Sequence, residues 1–290
     1  MFVLLPSAVR LNENLWSNSL KRTINSGVSF GVIPKCTSCL LMNCKRVLIF
    51  AALLTALAIL VLALTTKPME EKSDENIPQY LYTEKEMEKI SDYITQQYGD
   101  FELVAHEMVS PDIHCDIVIV PPTDAQPYYK LVTMGAGAYK MNIPKELKSD
   151  VNDRAEYVAF LPKDWNLESD KEEDYWPLRM LKIVARLPIW SDDWLGLRHT
   201  VNLTEDQSPV AENTEFNSCT LVPSVGKDGQ LVKPLRFGFF GKKVAFFQIY
   251  PLYQEELTFK MNHSFEELMD RIDDDDLFPL ININRKNYGK

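Results

Sequence analysis

The sequence predicts a mixed α/β (α+β) fold, a central β-sheet with flanking helices, preceded by one transmembrane helix. Three observations predict it. Residues 47–66 read VLIFAALLTALAILVLALTT without a charge. Runs such as IHCDIVIV and KVAFFQIY are rich in β-branched and aromatic residues. Thr83-x-x-Glu86 and Ser264-x-x-Glu267 are capping boxes that open helical patterns.

The 290 residues divide accordingly. Residues 1–46 form an N-terminal cytoplasmic segment or an upstream extension, and 47–66 a transmembrane helix or signal anchor. Residues 67–79 form a linker, 80–275 the folded body and 276–290 a C-terminal tail. The span assignment rests on length and on flanks. Twenty uncharged residues at about 1.5 Å each match a hydrocarbon core of about 30 Å. Lys45 and Arg46 precede the run, and Glu70 and Glu71 follow it. The positive-inside rule then places the N-terminus in the cytoplasm and the body outside. Translation from Met42 would instead give a cleavable signal with a short basic n-region, although the run is longer than the usual apolar core of about 7–15 residues. The linker, KPMEEKSDENIPQ, is charged and poor in apolar residues.

In the body, Met87, Ile90, Ile94 and Tyr98 follow Thr83 at helical spacing, and Gly99 ends the helix. Strand-like runs come next: IHCDIVIV, YYKLVTM, EYVAFL, CTLVP and KVAFFQIY. A second helix, Tyr175–Leu187, lies between the third and fourth, with acidic residues 172–174 before it and Pro177 in its first turn. Its apolar face is Leu178, Leu181, Val184 and Leu187, while Arg179, Lys182 and Arg186 form a basic stripe on another face. A last helix covers Ser264–Ile272, and Asp273–Asp276 reads as a solvated acidic turn.

The charge is unevenly placed. Of 31 basic and 41 acidic residues, residues 1–66 hold six basic ones and Glu13. Removing these leaves 25 against 40, a balance of −15 for residues 67–290. Such a body repels phosphate backbones, so no nucleic acid is expected as partner. Cys36-x-x-Cys39 has no second pair to complete a zinc site. Cys115 and Cys219 would either pair in an exported body or remain two buried thiols.

No P-loop, GxGxxG, GxSxG or HExxH pattern occurs, and no metal or cofactor is expected. Alternation from Ile113 puts Ile113, Cys115, Ile117 and Ile119 on one face, with His114, Asp116, Val118 and Val120 on the other. His114 and Asp116 are thus a structural polar pair. The competing reading is a hydrolase that uses this pair with His106 or His199, but no nucleophile is identifiable. Trp165, Trp176, Trp190 and Trp194 crowd one stretch. Trp is favoured at binding hot spots, so Trp190–Thr200 is the best interface candidate, together with the basic stripe.

An ordered set of short motifs carries a family resemblance: His106-Glu107, SPDIHCDIVIVPPT, LVTMG at 131–135, Met141-Asn142, RAEYVAFLPKDW, YWPLRMLKIVARLP, WLGLRHT, AENT at 211–214, and FFQIYPLYQEEL. The sequence over roughly residues 80–270 thereby resembles the suppressor of fused family, in the domain shared by bacterial members and the N-terminal half of the animal protein. The resemblance implies one mixed α/β domain without enzymatic activity. Animal members sequester a transcription factor in Hedgehog signalling, and bacterial members look like immunity proteins that neutralise a toxin domain. Arg198 departs from the pattern, since that loop usually has a small residue, often Gly. The apolar run 47–66 is also atypical. The resulting expectation is a membrane-anchored protein-binding module, an immunity protein or an envelope scaffold, whose partner contacts are Trp190, Trp194, His199, Arg179, Lys182, Arg186, Glu212 and Asn213.

Overall fold

The computed structural model describes residues 80–238 and 241–290. The expected cytoplasmic segment, membrane span and linker lie outside the described residues. Within them, no helix is long and apolar enough to cross a membrane.

Helix α1 (Glu84–Tyr98) starts at the Thr83 capping box, where the Thr83 N–H donates to Glu86 Oε2 at 3.0 Å. It ends at Gly99, whose φ of 123° is open to glycine. Strands β1 (Leu103–Ala105), β2 (Asp116–Val120), β3 (Tyr128–Met134) and β4 (Ala155–Pro162) follow. Helix α2 (Glu172–Ser191) then leads to β5 (Thr200–Asn202) and β6 (Phe216–Pro223). The short β7 (Leu235–Arg236) precedes β8 (Lys243–Tyr253), which runs directly into α3 (Gln254–Asn262). Helices α4 (Phe265–Met269) and α5 (Asp274–Leu277) complete the order.

The strands form one mixed sheet in the order β1-β2-β3-β4-β8-β6-β5, with β7 beside β8. All neighbours are antiparallel except β4 and β8. Strand alternation sorts side chains into two cores. Ile117, Ile119, Tyr157, Ala159, Phe247 and Ile249 pack with Trp176, Leu181 and Val184 of α2. Val118, Val120, Val158, Phe160 and Phe246 pack on the opposite face with Ile90, Ile94 and Tyr98 of α1. The expected split of the β2 side chains therefore holds. Cys115 and Cys219 are buried free thiols.

Three sequence expectations are corrected. Helix α2 begins before Tyr175 and continues through Pro188 to Ser191. Asp274–Leu277 is a short helix, and the Tyr288 hydroxyl lies within hydrogen-bond reach of both Asp273 and Asp276, at 3.0 and 2.8 Å. Residues 276–290 are not a tail. Ile281 and Tyr288 are buried, and the Ile281 N–H donates to the Phe160 carbonyl of β4 at 2.9 Å. Arg285 grips Glu256 with two donors at 2.5 and 2.6 Å, among the rings of Phe216, Tyr250 and Tyr253.

Cutting the chain after Asp275 strands the buried Glu256 carboxylate and opens the core. Breaking a buried pair typically costs about 3–5 kcal/mol. The truncated chain is expected to lose its cooperative thermal transition by circular dichroism; a melt like that of the full chain would refute this role for the C-terminal segment.

Candidate partner-binding site

The connection from β1 to β2 carries an unusual density of charge. The strands are antiparallel, with Ala105 opposite Ile117, and residues 106–115 form the loop between them. Two carboxylates close it reciprocally. Glu107 Oε2, at the start of the loop, accepts the Cys115 N–H at 3.0 Å. Asp116 Oδ1, at the end, accepts the Glu107 N–H at 2.9 Å. Asp116 also meets His114 Nε2 at 3.1 Å through Oδ1 and His106 Nδ1 at 3.0 Å through Oδ2. Ser110 Oγ lies 2.8 Å from His114 Nδ1 and 3.1 Å from Glu107 Oε2.

Helix α2 fastens the loop through Arg186. Its guanidinium donates to Glu107 Oε2 at 2.7 Å, to Asp112 Oδ1 at 3.0 Å and to the Ile113 carbonyl at 3.1 Å. The side chains of Arg186, Glu107, Asp112 and Asp116 are each less than a tenth exposed. Buried charges of this kind persist only when paired and hydrogen-bonded. The Asp112 carbonyl in turn receives the Tyr80 N–H at 2.8 Å.

The neighbouring turn is built the same way. Glu156, fully buried in β4, accepts from the N–H groups of Gly135, Ala136 and Gly137 and from the hydroxyls of Thr133 and Tyr82. Burial pushes its carboxyl up from the ordinary value, and these hydrogen bonds oppose the rise. Gly135 is required here, because a Cβ would stand 1.8 Å from the His114 carbonyl oxygen.

On this charged base the loop presents apolar side chains to solvent. Met108 is 93% exposed and Val109 73%. An adjoining cleft of about 300 Å³ is lined by Leu81, Tyr82, Met87, His114 and Gly135. His114 therefore belongs to both the loop's clamp and the cleft wall.

The expected His114–Asp116 pair is present, and His106, one of the two further histidines weighed with it, joins it through Asp116. His199 does not; its ring packs 4.3 Å from that of Trp194. The structure supplies a hydroxyl, Ser110, where no nucleophile was identifiable. Ser110 Oγ stands between His114 Nδ1 at 2.8 Å and Glu107 Oε2 at 3.1 Å, and the tautomer of the ring sets which of them receives its hydrogen. The geometry is that of a clamp. Among the described residues, no group of three or more His, Cys, Asp or Glu is arranged to hold a metal ion.

The expected partner contacts divide. Arg186 is buried rather than part of a surface stripe, because the 106–113 loop covers that side of α2. Trp194 is buried in the core, so it is no surface anchor. His199 is half-buried, and burial with the nearby Lys260 charge lowers its basicity. Trp190 is 40% exposed. Arg179 pairs with Glu172 and donates to the Val210 carbonyl, while the exposed Asn213 donates to the Glu173 carbonyl beside exposed Glu212. Half-buried Lys182 lies between these ends. Arg179 and Trp190 stand about 16 Å apart along the helix at about 1.5 Å per residue, so the set does not make one compact patch.

Arg198 adopts a φ of 68°, a conformation that costs a non-glycine residue about 1–2 kcal/mol. This explains why a small residue suits that loop. Here Arg198 pairs with Glu266, and its carbonyl accepts from buried Lys260 at 2.6 Å.

Burial pushes the Lys260 amine down to about 8. Near neutral pH it is a buried charge without a carboxylate bonded to it, whereas the unfolded chain keeps its proton to about 10.4. Stability is therefore expected to rise as pH climbs from about 8 toward about 10.4. Lys260→Met should raise the melting temperature at neutral pH, with a gain that shrinks across that window. Arg186→Ala leaves Glu107 and Asp112 unpaired and is expected to cost about 3–5 kcal/mol in denaturant unfolding. Lys182→Ala should stay within about 0.5 kcal/mol of the parent.

The family model for Suppressor of fused protein (SUFU) matches residues 111–286, more than half of the chain. No curated protein matches the sequence. Among solved structures, the chain is similar to a SUFU homolog from Neisseria gonorrhoeae FA 1090, with 18% identity, coverage of 70% of this chain and 93% of that one, and a TM-score of 0.46. It is also similar to a chain of the Sufu-Fu complex, with 11% identity, coverage of 72% and 93%, and a TM-score of 0.49. Drosophila Suppressor of Fused gives 10% identity, coverage of 70% of this chain and 50% of that one, and a TM-score of 0.43. By the family match over residues 111–286, this chain belongs to the suppressor of fused family.

Proposed function

We propose that this protein is a non-enzymatic protein-binding module whose partner docks on the 106–112 loop and the adjoining cleft. One observation carries the reading: Met108 and Val109 stand 93% and 73% exposed on a loop fastened at its base by buried charges. Exposed apolar groups on a rigid base bind with little ordering cost, which favours affinity. The cleft of about 300 Å³ beside His114 offers room for an apolar side chain of the partner.

The surplus of acid in residues 67–290 favours a basic partner, captured faster at low salt. In its fuller form the reading is that of an immunity protein, anchored by residues 47–66, that covers the active site of a toxin outside the cytoplasmic membrane. Family membership and the flanking charges of the apolar run support that form. Occlusion needs no chemistry from the module, in keeping with a histidine cluster arranged as a clamp.

The test is affinity capture of partners by the full chain, with the Met108→Asp/Val109→Asp variant alongside. Surface changes of this kind leave stability within about 0.5 kcal/mol, so the melting temperature is expected to hold while capture falls at least about tenfold, or about 1.4 kcal/mol. Undiminished capture by the variant would place docking elsewhere.

A further inference from the structure

A second cleft, of about 490 Å³, lies against the connection from β3 to β4. That volume falls in the range of about 300–1,000 Å³ usual for small-molecule sites. Part of its wall is apolar. Met141 and Ile143 are buried side chains, and the rings of Tyr80 and Tyr139 meet edge to face, with centroids 4.9 Å apart.

Arg154, half-buried at the start of β4, forms the polar end. Its Nη1 carries two hydrogens, and they go to the carbonyls of Gly137, at 3.0 Å, and Ala138. These bonds fix the guanidinium plane against the 136–138 turn. Nε and Nη2 lie along another edge of that plane, and their parallel N–H bonds match two oxygens of a carboxylate or phosphate. Among the described residues, that edge has no hydrogen-bond partner and no carboxylate forms an ion pair with Arg154. The adjacent Asp153 is engaged by Lys140 instead, at 3.5 Å. Arg186 and Arg285, the buried arginines of the described residues, are both held by carboxylates. Arg154 is set in place without one.

The remaining lining adds donors and charge. Lys148 is exposed and forms no ion pair among the described residues. Burial, the Asp192 charge and Tyr80 push the Tyr139 hydroxyl up from its ordinary value, so it keeps its hydrogen as a donor. Three cations, Lys140, Lys148 and Arg154, stand against two carboxylates, Asp153 and Asp192. The cleft is therefore net positive in a body that sums to −15.

We propose that this cleft binds a small organic oxyanion, a carboxylate or phosphate group carried on an aromatic body. The Arg154 edge takes two oxygens, Lys148 adds charge, and Met141 with the Tyr80–Tyr139 pair receives the ring. The cleft shares no lining residue with the one beside His114, and its ligand does not rest on the function proposed above.

Ligand-observed NMR titration of the full chain with benzoate and with phenyl phosphate tests the site, with benzamide as the uncharged control. At least one of the two anions is expected to bind; benzoate alone would assign a carboxylate ligand, phenyl phosphate alone a phosphate. Benzamide should bind at least about tenfold more weakly than the better anion. Arg154→Lys keeps a charge but not the parallel donors, and should weaken anion binding about tenfold. Lys148→Gln, an exposed change, should weaken it about threefold while the melting temperature holds. Binding of neither anion, benzamide binding as tightly as the better anion, or undiminished binding by either variant would overturn the proposal. If Arg154→Lys loses its cooperative melt, Lys148→Gln decides alone.

Discussion

Arg186 is the interaction on which the functional end of this molecule depends. A guanidinium on α2 reaches Glu107 and Asp112, residues far earlier in the chain, and binds helix and loop into one unit. Without it both carboxylates would be buried with no guanidinium bonded to them, and breaking a buried pair leaves an uncompensated group. With it, the loop is tied to α2 by three hydrogen bonds. That is why Met108 and Val109 read as presented rather than as frayed.

A buried carboxylate also organises two other connections of the sheet. Glu156 gathers the 135–137 turn through three N–H groups and two hydroxyls. Glu256, at the start of α3, gathers the C-terminal segment through Arg285 and the N–H groups of Tyr253 and Tyr288. Each hub is a buried carboxylate that satisfies donors which have no partner in the sheet. Hydrophobic alternation builds the slab, and these carboxylates place the connections. In a family whose members act by binding, precise placement of loops is what the surface requires.

Much of the slab was legible in the sequence. The period of two in DIVIV separates Ile117 and Ile119 from Val118 and Val120, as the two cores do. Helix α1 was readable from Thr83, Glu86 and Gly99. The hubs were not readable. Arg186 shares its spacing with Arg179 and Lys182, and periodicity tells which residues share a face but not what covers that face. The covering residues, Glu107 and Asp112, lie more than seventy positions away. Helix α3 was missed because β8 passes into it at Tyr253–Gln254 without an intervening turn. Strands β1, β5 and β7 exist only through their neighbours' hydrogen bonds. A usable signal for the clamp was present in the clustering of His106, Glu107, Ser110, Asp112, His114 and Asp116 at the entry to an otherwise apolar strand.

The central claim is that buried charge pairing holds the loop as a preformed surface. A double-mutant cycle with Arg186→Met, Glu107→Met and the combined variant, followed by denaturant unfolding, tests it most directly. The account predicts strong coupling, about 2–3 kcal/mol, with the double variant far more stable than the sum of the single losses implies. Losses that add to within about 0.5 kcal/mol would contradict it.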